Sequence, residues 1–281
     1  MKNLSFEKGS PSWNNNDILK ELENFIQLYE KRPIKNNKGG MLFPQMFYFY
    51  FILKKINPEL VIESGVYKGQ STWLIENTLP NAKMIALDID LSQREYISKK
   101  AFYSSKDFRF QNFSKIPNNT LVFFDDHVNH TERIIESKFF NIKNIVLEDN
   151  YQVGSGDFQT LKQLYNDSIF NHNPGVLSLI KTSIFFNTII LKKIFSKNYN
   201  AKVDLDKISK RIRDGSNEKN WFENINKIIE CYYEFPPITK YENLSEKQFN
   251  VKPLLDDVPE NLKVYLKQIN EYNFLTYIKL I

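Results

Sequence analysis

Two short acidic runs are where this sequence could do chemistry. Asp125-Asp126-His127 follows the apolar stretch Leu121 to Phe124, and Glu148-Asp149-Asn150 follows Ile145 to Leu147. A continuous apolar run bounded by turn residues reads as a buried parallel strand, so each acidic run sits at a strand end. Carboxylate and amide oxygens brought into one small volume repel unless a cation lies between them. An all-oxygen set suits Mg²⁺. His127 and His130 stand beside the first run, and an imidazole titrates near neutral pH, so either could act as a general base. Helix capping at the surface for the acids, and a satisfied structural role for each histidine, are the alternatives.

A second feature lies upstream, in LVIESGVYKGQSTWLIENTLPNAKMIALDID from Leu60 to Asp90. An apolar run meets Gly65 and Gly69, a helical pattern follows through Trp73, Leu74 and Ile75, and a second apolar run closes the unit. This is strand, glycine turn, helix, strand, the parallel unit of an open α/β sheet. Gly65 lets the chain turn sharply off the strand, and Gly69 removes a side chain where the helix approaches the sheet or a ligand. Glu63 and Asp88 close the two strands, so both carboxylates face one crevice, and an acid at the second position grips ribose hydroxyls in such folds. The spacing is neither G-x-G-x-x-G nor a P-loop, so a pyrophosphate is not the expected ligand.

The remaining elements have to hold these features in place. The chain has 281 residues, 42% hydrophobic and 15% aromatic, enough for one large core with at most a small appendage. Residues 1–16 read as a loose arm, and a helix capped by Asp17 runs to Arg32-Pro33. MLFPQMFYFYFILKKI reads as a buried helix on the sheet, with Phe47 or Tyr48 as alternatives for lining a substrate site. A polar helix is expected over Ser92 to Phe102, a strand near Phe108 to Phe110, and helices over Thr131 to Phe140, Phe158 to Tyr165, Asp204 to Arg213 and Trp221 to Glu230. YNFLTYIKLI alternates in the manner of a strand, with Tyr232 to Phe235 as its partner.

ESGVYKGQST followed by ALDID resembles the cofactor turn of class I S-adenosylmethionine-dependent methyltransferases, in particular the catechol O-methyltransferase-like branch with its E-x-G-x-Y-x-G-x-S pattern. The resemblance covers about Gly40 to Asp157. It implies a Rossmann-like, doubly wound, mostly parallel seven-stranded sheet with N-terminal helices and a helical C-terminal insert. It places Glu63, Gly65, Tyr67, Gly69 and Ser71 around the methionine and ribose of S-adenosyl-L-methionine, with Asp88 on the ribose hydroxyls. In that strand order the two acidic runs lie on neighbouring strands and converge beside the cofactor. FFDDHVNH and VLEDN then resemble the family's two metal-bearing segments, with Asp126, Asp149 and Asn150 as Mg²⁺ ligands. Asp125 competes with Asp126 or belongs to the cofactor side, and related sugar methyltransferases and cephalosporin-hydroxylase-like proteins would use Glu148 in place of Asn150. The family's lysine three residues past the metal acid is Asn129 here, which leaves the base to His130 or His127.

The resemblance therefore implies a Mg²⁺-assisted O-methyltransferase for a small-molecule or sugar hydroxyl. A non-catalytic nucleotide- or glycan-binding module and another nucleoside-cofactor enzyme are the rivals. The expected division is an N-terminal arm and helix over 1–40 and an α/β domain over 41–281, with an insert at about 166–230 whose stretch from Ile169 to Asn198 would cover the acceptor. A net charge of +5 is too mild to call for nucleic acid. One cysteine, Cys231, excludes an internal disulfide and fits a reducing compartment. The N-terminus carries no signal-like apolar run, and the uncharged part of Leu177 to Phe195 is too short to span a bilayer, so the expected location is cytoplasmic.

Overall fold

The computed structural model describes residues 8–151, 156–164, 225–240, 252–269 and 274–281. Its centre is a seven-stranded sheet in the order β3-β2-β1-β4-β5-β7-β6. The strands are β1 (Leu60–Ser64), β2 (Lys83–Leu87), β3 (Ala101–Ser104), β4 (Thr120–Phe124), β5 (Asn144–Leu147), β6 (Ile229–Glu234) and β7 (Thr276–Leu280). The first five pair in parallel, while β7 runs antiparallel to both β5 and β6. This is the Rossmann-like, doubly wound sheet expected, with its terminal alternating segment placed as the antiparallel strand. The chain leaves β1 for β2 on one side and returns to β4 on the other. A crevice therefore opens at the carboxyl ends of β1 and β4, where such sheets take ligands.

The central strands are apolar on both sides because both faces are covered. Every residue of β1 and β4 is buried. One face is covered by α1 (Asn15–Leu19), α2 (Leu22–Tyr29) and α3 (Phe43–Ile56). In α3 the residues from Phe43 to Leu53 are all buried, and Phe49 stacks on Phe123 of β4 at 4.3 Å. Each such ring contributes roughly 1.5–3 kcal/mol through burial. Phe47 and Tyr48 are wholly inside this core, and the Tyr48 hydroxyl donates to the Pro236 carbonyl at 2.6 Å, so neither lines a substrate site. The helix α4 (Gln70–Thr78) completes the β1–β2 crossover on this face, and α5 (His130–Phe139) joins β4 to β5 on the other.

Several sequence expectations need correction. The stretch 8–16 is anchored: Lys8 bridges to Tyr232, and Trp13 packs among Phe51, Tyr233, Phe235 and Tyr277. The first helix is capped by Asn14, with Asp17 as the returning member of the capping box, and it breaks between Leu19 and Leu22. The polar helix of Ser92 to Phe102 is replaced by a 3-10 turn, Leu91–Gln93, capped by Asp90, and by β3. Phe108–Phe110 is a 3-10 turn and not a strand. The helix expected to reach Glu230 gives way to β6 at Ile229. The helix over Asp204 to Arg213, the stretch from Ile169 to Asn198 and most of the insert lie outside the described residues. Among the described residues, no helix is long and apolar enough to cross a membrane.

Candidate active site

The turn after β1 is built around a collision that only glycine avoids. Gly65 has φ +97°, and a Cβ there would come within 2.0 Å of the Asp125 carbonyl oxygen. The β4 loop therefore passes directly behind the turn, and Asp125 N donates to the Ser64 carbonyl at 2.8 Å. Asp88 secures the other side. Its Oδ2 accepts from the backbone N–H groups of Val66 and Tyr67 at 2.8 and 2.9 Å, and its Oδ1 accepts from Asp90 N. The carboxylate expected on ribose is thus spent bracing the turn that forms the crevice floor. Tyr67 adopts φ +47° and its hydroxyl donates to the Lys38 carbonyl, tying the turn to the loop before α3.

Glu63 does not face an open crevice. It is buried under α4, where Thr72 Oγ1 donates to its Oε2 at 2.6 Å. Burial pushes its pKa up to about 7; the neighbouring Ser71 and Thr72 hydroxyls oppose the shift and the Asp88 charge adds to it. Ser71 is itself buried at the start of the helix. A narrow recess runs along this turn, walled by Tyr67, Gln70 and Ser71 on one side and by Asn37 and Met41 on the other, and Asp125 closes its end.

The same Asp125 forms one wall of a second recess, shared with Asp126, His127, Glu148, Asp149 and Phe158. The two acidic runs meet here because β4 and β5 are neighbours in register, Phe124 opposite Leu147. Asp125, His127 and Asp149 each offer a donor atom, and all three atoms lie within 4.8 Å of one another. His127 and Asp149 both adopt left-handed backbone conformations, at φ +54° and +56°. His127 Nε2 stands 4.0 Å from Asp149 Oδ2 while its Nδ1 faces the Asp157 carboxylate at 3.0 Å.

The electrostatics mark this cluster as short of positive charge. Asp125 keeps some contact with solvent, yet the surrounding protein strips most of its water and holds its pKa well above the carboxylate range; repulsion from Asp149, Asp126 and Glu63 adds to this. Glu148 is held well above its ordinary range by burial and then by the charges of Asp125 and Asp149. Two carboxylates that resist ionising together, with an imidazole beside them, form a donor set that fits a divalent cation.

Two of the expected metal ligands are engaged elsewhere. Asp126 turns away: its Oδ2 accepts from the Ser64 hydroxyl and pairs with Arg133 Nη2 at 2.8 Å, and its Oδ1 accepts from Val128 N. Arg133 is 1% exposed and also holds Asp107 and Glu136, so Asp126 belongs to a buried ion-pair network behind the cleft. Asn150 is committed to the fold. Its Nδ2 donates to the Tyr232 hydroxyl and to Thr276 Oγ1, and its Oδ1 accepts from Lys162 N. Asp125 and not Asp126 is the aspartate of β4 that faces the carboxylates of Asp149 and Glu148.

The histidines separate as well. His130 is enclosed yet also lines the acidic recess; burial lowers its pKa to about 4, and its Nδ1 accepts from Leu161 N, so it stays neutral there. His127 is exposed at the mouth. Asn129 caps α5 by accepting from Thr131 N, and donates to Gln159. Arg133, Asn37 and Gln70 were not legible in the sequence as site residues: each sits in a polar run that reads as a solvated surface, and only the fold reveals what surrounds it.

No protein-family profile and no curated protein matches the sequence. Solved structures similar to the chain include an apo form of CmcI, at 16% identity over 37% of this chain and 51% of that one, with a TM-score of 0.34. CmcI with Mg-SAM matches at 17% identity over 48% and 58%, with a TM-score of 0.32. The SAH-bound methyltransferase PaMTH1 of Podospora anserina matches at 12% identity over 50% and 73%, with a TM-score of 0.36. The chain spans about half the length of the apo CmcI chain. Likenesses this distant carry no weight for activity. The class is set by the strand order described above: a Rossmann-like α/β protein whose two recesses meet at Asp125.

Proposed function

We propose that this chain binds S-adenosyl-L-methionine at the Gly65 turn and transfers its methyl group to a hydroxyl of a small molecule or sugar, assisted by a divalent cation. The observation that carries the reading is the shared wall: Asp125 lines both the recess at the Gly65 turn and the acidic one. An electrophile held in the first would therefore meet an oxygen nucleophile held in the second.

The cofactor, when bound, supplies an electrophilic methyl carbon, and the cation lowers the pKa of a coordinated hydroxyl. In this step an oxygen–carbon bond forms, the sulfur–carbon bond breaks, the neutral thioether leaves and the hydroxyl proton passes to solvent water at the open mouth of the cleft. The chain's own residues supply the positioning. Gly65, with Val66 and Tyr67 braced on Asp88, forms the floor under the nucleoside. Asp125, Asp149 and His127 would hold the cation, with the Glu148 carboxyl group beside them. Orientation of this kind accounts for much of the acceleration of a bimolecular transfer.

Isothermal titration with S-adenosylmethionine tests the cofactor, and a donor-turnover screen over a panel of diols, phenols and sugars with and without divalent cation tests the reaction. No binding at millimolar ligand would remove the proposal. The second reading, a binding module without turnover, is favoured by one observation: Asn129, which stands where the family's lysine would, caps α5 and donates to Gln159. Methyl transfer to any acceptor in the screen would dispose of it.

A further inference from the structure

The segment that follows β5 forms one lip of the acidic recess, where Phe158 lines it beside His127 and Asp149. This lip is fastened to the chain after β4 at several points. His130 N donates to the Gln159 carbonyl at 3.1 Å, and Asn129 Nδ2 donates to Gln159 Oε1 at 3.0 Å. The Phe158 ring sits edge-on to the rings of His127 and His130, with centroids 5.7 and 5.1 Å away. The same lip brings one more acid to the mouth of the cleft, Asp157.

The two carboxylate oxygens of Asp157 stand 3.0 and 3.2 Å from His127 Nδ1. An ionised carboxylate only accepts, so the imidazole donates from Nδ1, and in its neutral form it then presents a lone pair on Nε2. That Nε2 lies 4.0 Å from Asp149 Oδ2. The separation is too long for a hydrogen bond and close to the span of two ligand bonds of about 2.1 Å each. A carboxylate that fixes the tautomer and direction of an imidazole is the means by which outer residues aim metal-binding histidines. The competing arrangement is an imidazolium held between Asp149 and Asp157, which would leave no nitrogen for a cation.

The nitrogen bears on which ion fits. Asp125, His127 and Asp149 offer two oxygens and one nitrogen. Mg²⁺ prefers oxygen donors and keeps its waters, whereas imidazole suits first-row transition ions. We infer that Asp157 is a positioning residue that aims His127 Nε2 into the cleft as a nitrogen ligand, and that the site takes a transition ion such as Mn²⁺ or Co²⁺ in preference to Mg²⁺. This rests on the cation reading above and deepens it by naming the class of ion. The all-oxygen set of Asp126, Asp149 and Asn150 implied by the sequence gives way to one that contains an imidazole.

Titration of the full chain with Mn²⁺, read by pulsed electron paramagnetic resonance, tests the inference with no cofactor and no turnover. The bound ion should show the modulation of a directly coordinated nitrogen in the wild type. His127→Gln should abolish that modulation, which separates His127 from His130, the other imidazole of the recess. Asp157→Ala should weaken Mn²⁺ binding by about 10-fold, and Asp157→Asn, whose amide oxygen still accepts from Nδ1, should recover part of the loss. In competition, Co²⁺ should displace Mn²⁺ at equal or lower concentration and Mg²⁺ only at about 100-fold excess. That excess should fall by about 10-fold in His127→Gln and in Asp157→Ala. Both side chains are exposed, so the metal-free variants should melt with the wild type, and weaker binding then reports the site and not the fold. Mn²⁺ bound without nitrogen modulation, modulation that persists in His127→Gln, Mg²⁺ competing on equal terms, or wild-type binding by Asp157→Ala each overturns the inference and leaves a cation on Asp125 and Asp149 standing. A wild type that leaves Mn²⁺ free at millimolar concentration overturns both and leaves S-adenosylmethionine binding to its own titration.

Discussion

Asp125 and Asp126 are adjacent in the chain and meet opposite fates. Asp126 points into a shelf shared by Arg133, Arg109, Asp107, Glu132 and Glu136, and pairs directly with the Arg133 guanidinium. Asp125 points into a cleft with Glu148 and Asp149, where repulsion and burial work against ionisation. In the shelf each carboxylate has a guanidinium partner; in the cleft the carboxylates crowd one another. The difference is what separates structural acids from candidate ligands, and it reverses the choice between the two aspartates that the sequence suggested.

The largest effect should come from breaking the shelf. Arg133→Met leaves several buried carboxylates without their guanidinium and should cost about 3–5 kcal/mol in urea unfolding; a loss below about 1 kcal/mol would show that the network does not hold Asp126. Next comes the cleft. Asp149→Ala should cut cation-dependent methyl transfer by about 100-fold or more, because the loss removes a direct donor. Its S-adenosylmethionine affinity should stay within about 2-fold of the wild type, and equal turnover in mutant and wild type would remove Asp149 from the reaction. Gly65→Ala, which drives a Cβ into the Asp125 carbonyl, should cost about 2 kcal/mol or more and weaken nucleoside binding with it. Unchanged melting and affinity would mean the two recesses are not rigidly joined.

The two regions should also answer pH with opposite signs. Asp107 is held down to about 2 by Arg133 and Arg109 against the cost of its burial, so the shelf contributes stability at neutral pH that is lost as acid protonates the carboxylate. Glu63 is raised to about 7, and Asp125 and Glu148 also lie above their ordinary range, so their contribution is present in mild acid and lost as pH rises. Denaturant unfolding of the unliganded chain should thus weaken from about pH 5 to about pH 8, at up to roughly 1.4 kcal/mol per pH unit for each such group. A saturating divalent cation should flatten the cleft's share of that slope. A slope indifferent to the cation would separate the raised pKa values from metal binding.

The sheet was largely legible because its central strands are buried on both faces and so appear as unbroken apolar runs at Leu60, Leu121 and Ile145. The edge was not. β3 has no wholly buried residue and owes its shape to pairing with β2, a partner no local pattern records, so Ala101–Ser104 was absorbed into a helix. Phe108 misled in the other direction: it is fully buried against Phe113, Phe124 and Phe140, yet from a 3-10 turn. At the site, the strand ends and the glycine turn were readable from residue types. The choice of Asp125 over Asp126 was not, since it depends on Arg133 reaching across from α5, and the commitment of Asn150 depends on Tyr232 and Thr276, 82 and 126 residues away.

The central claim is that Asp125 and Asp149 hold a cation beside the recess at the Gly65 turn, and titration with Mn²⁺ followed by electron paramagnetic resonance tests it most directly. The wild type should bind the ion, and Asp125→Asn should weaken that binding by about 10-fold or more. Binding that survives in Asp125→Asn, or a wild-type chain that leaves Mn²⁺ free in solution at millimolar concentration, would contradict it.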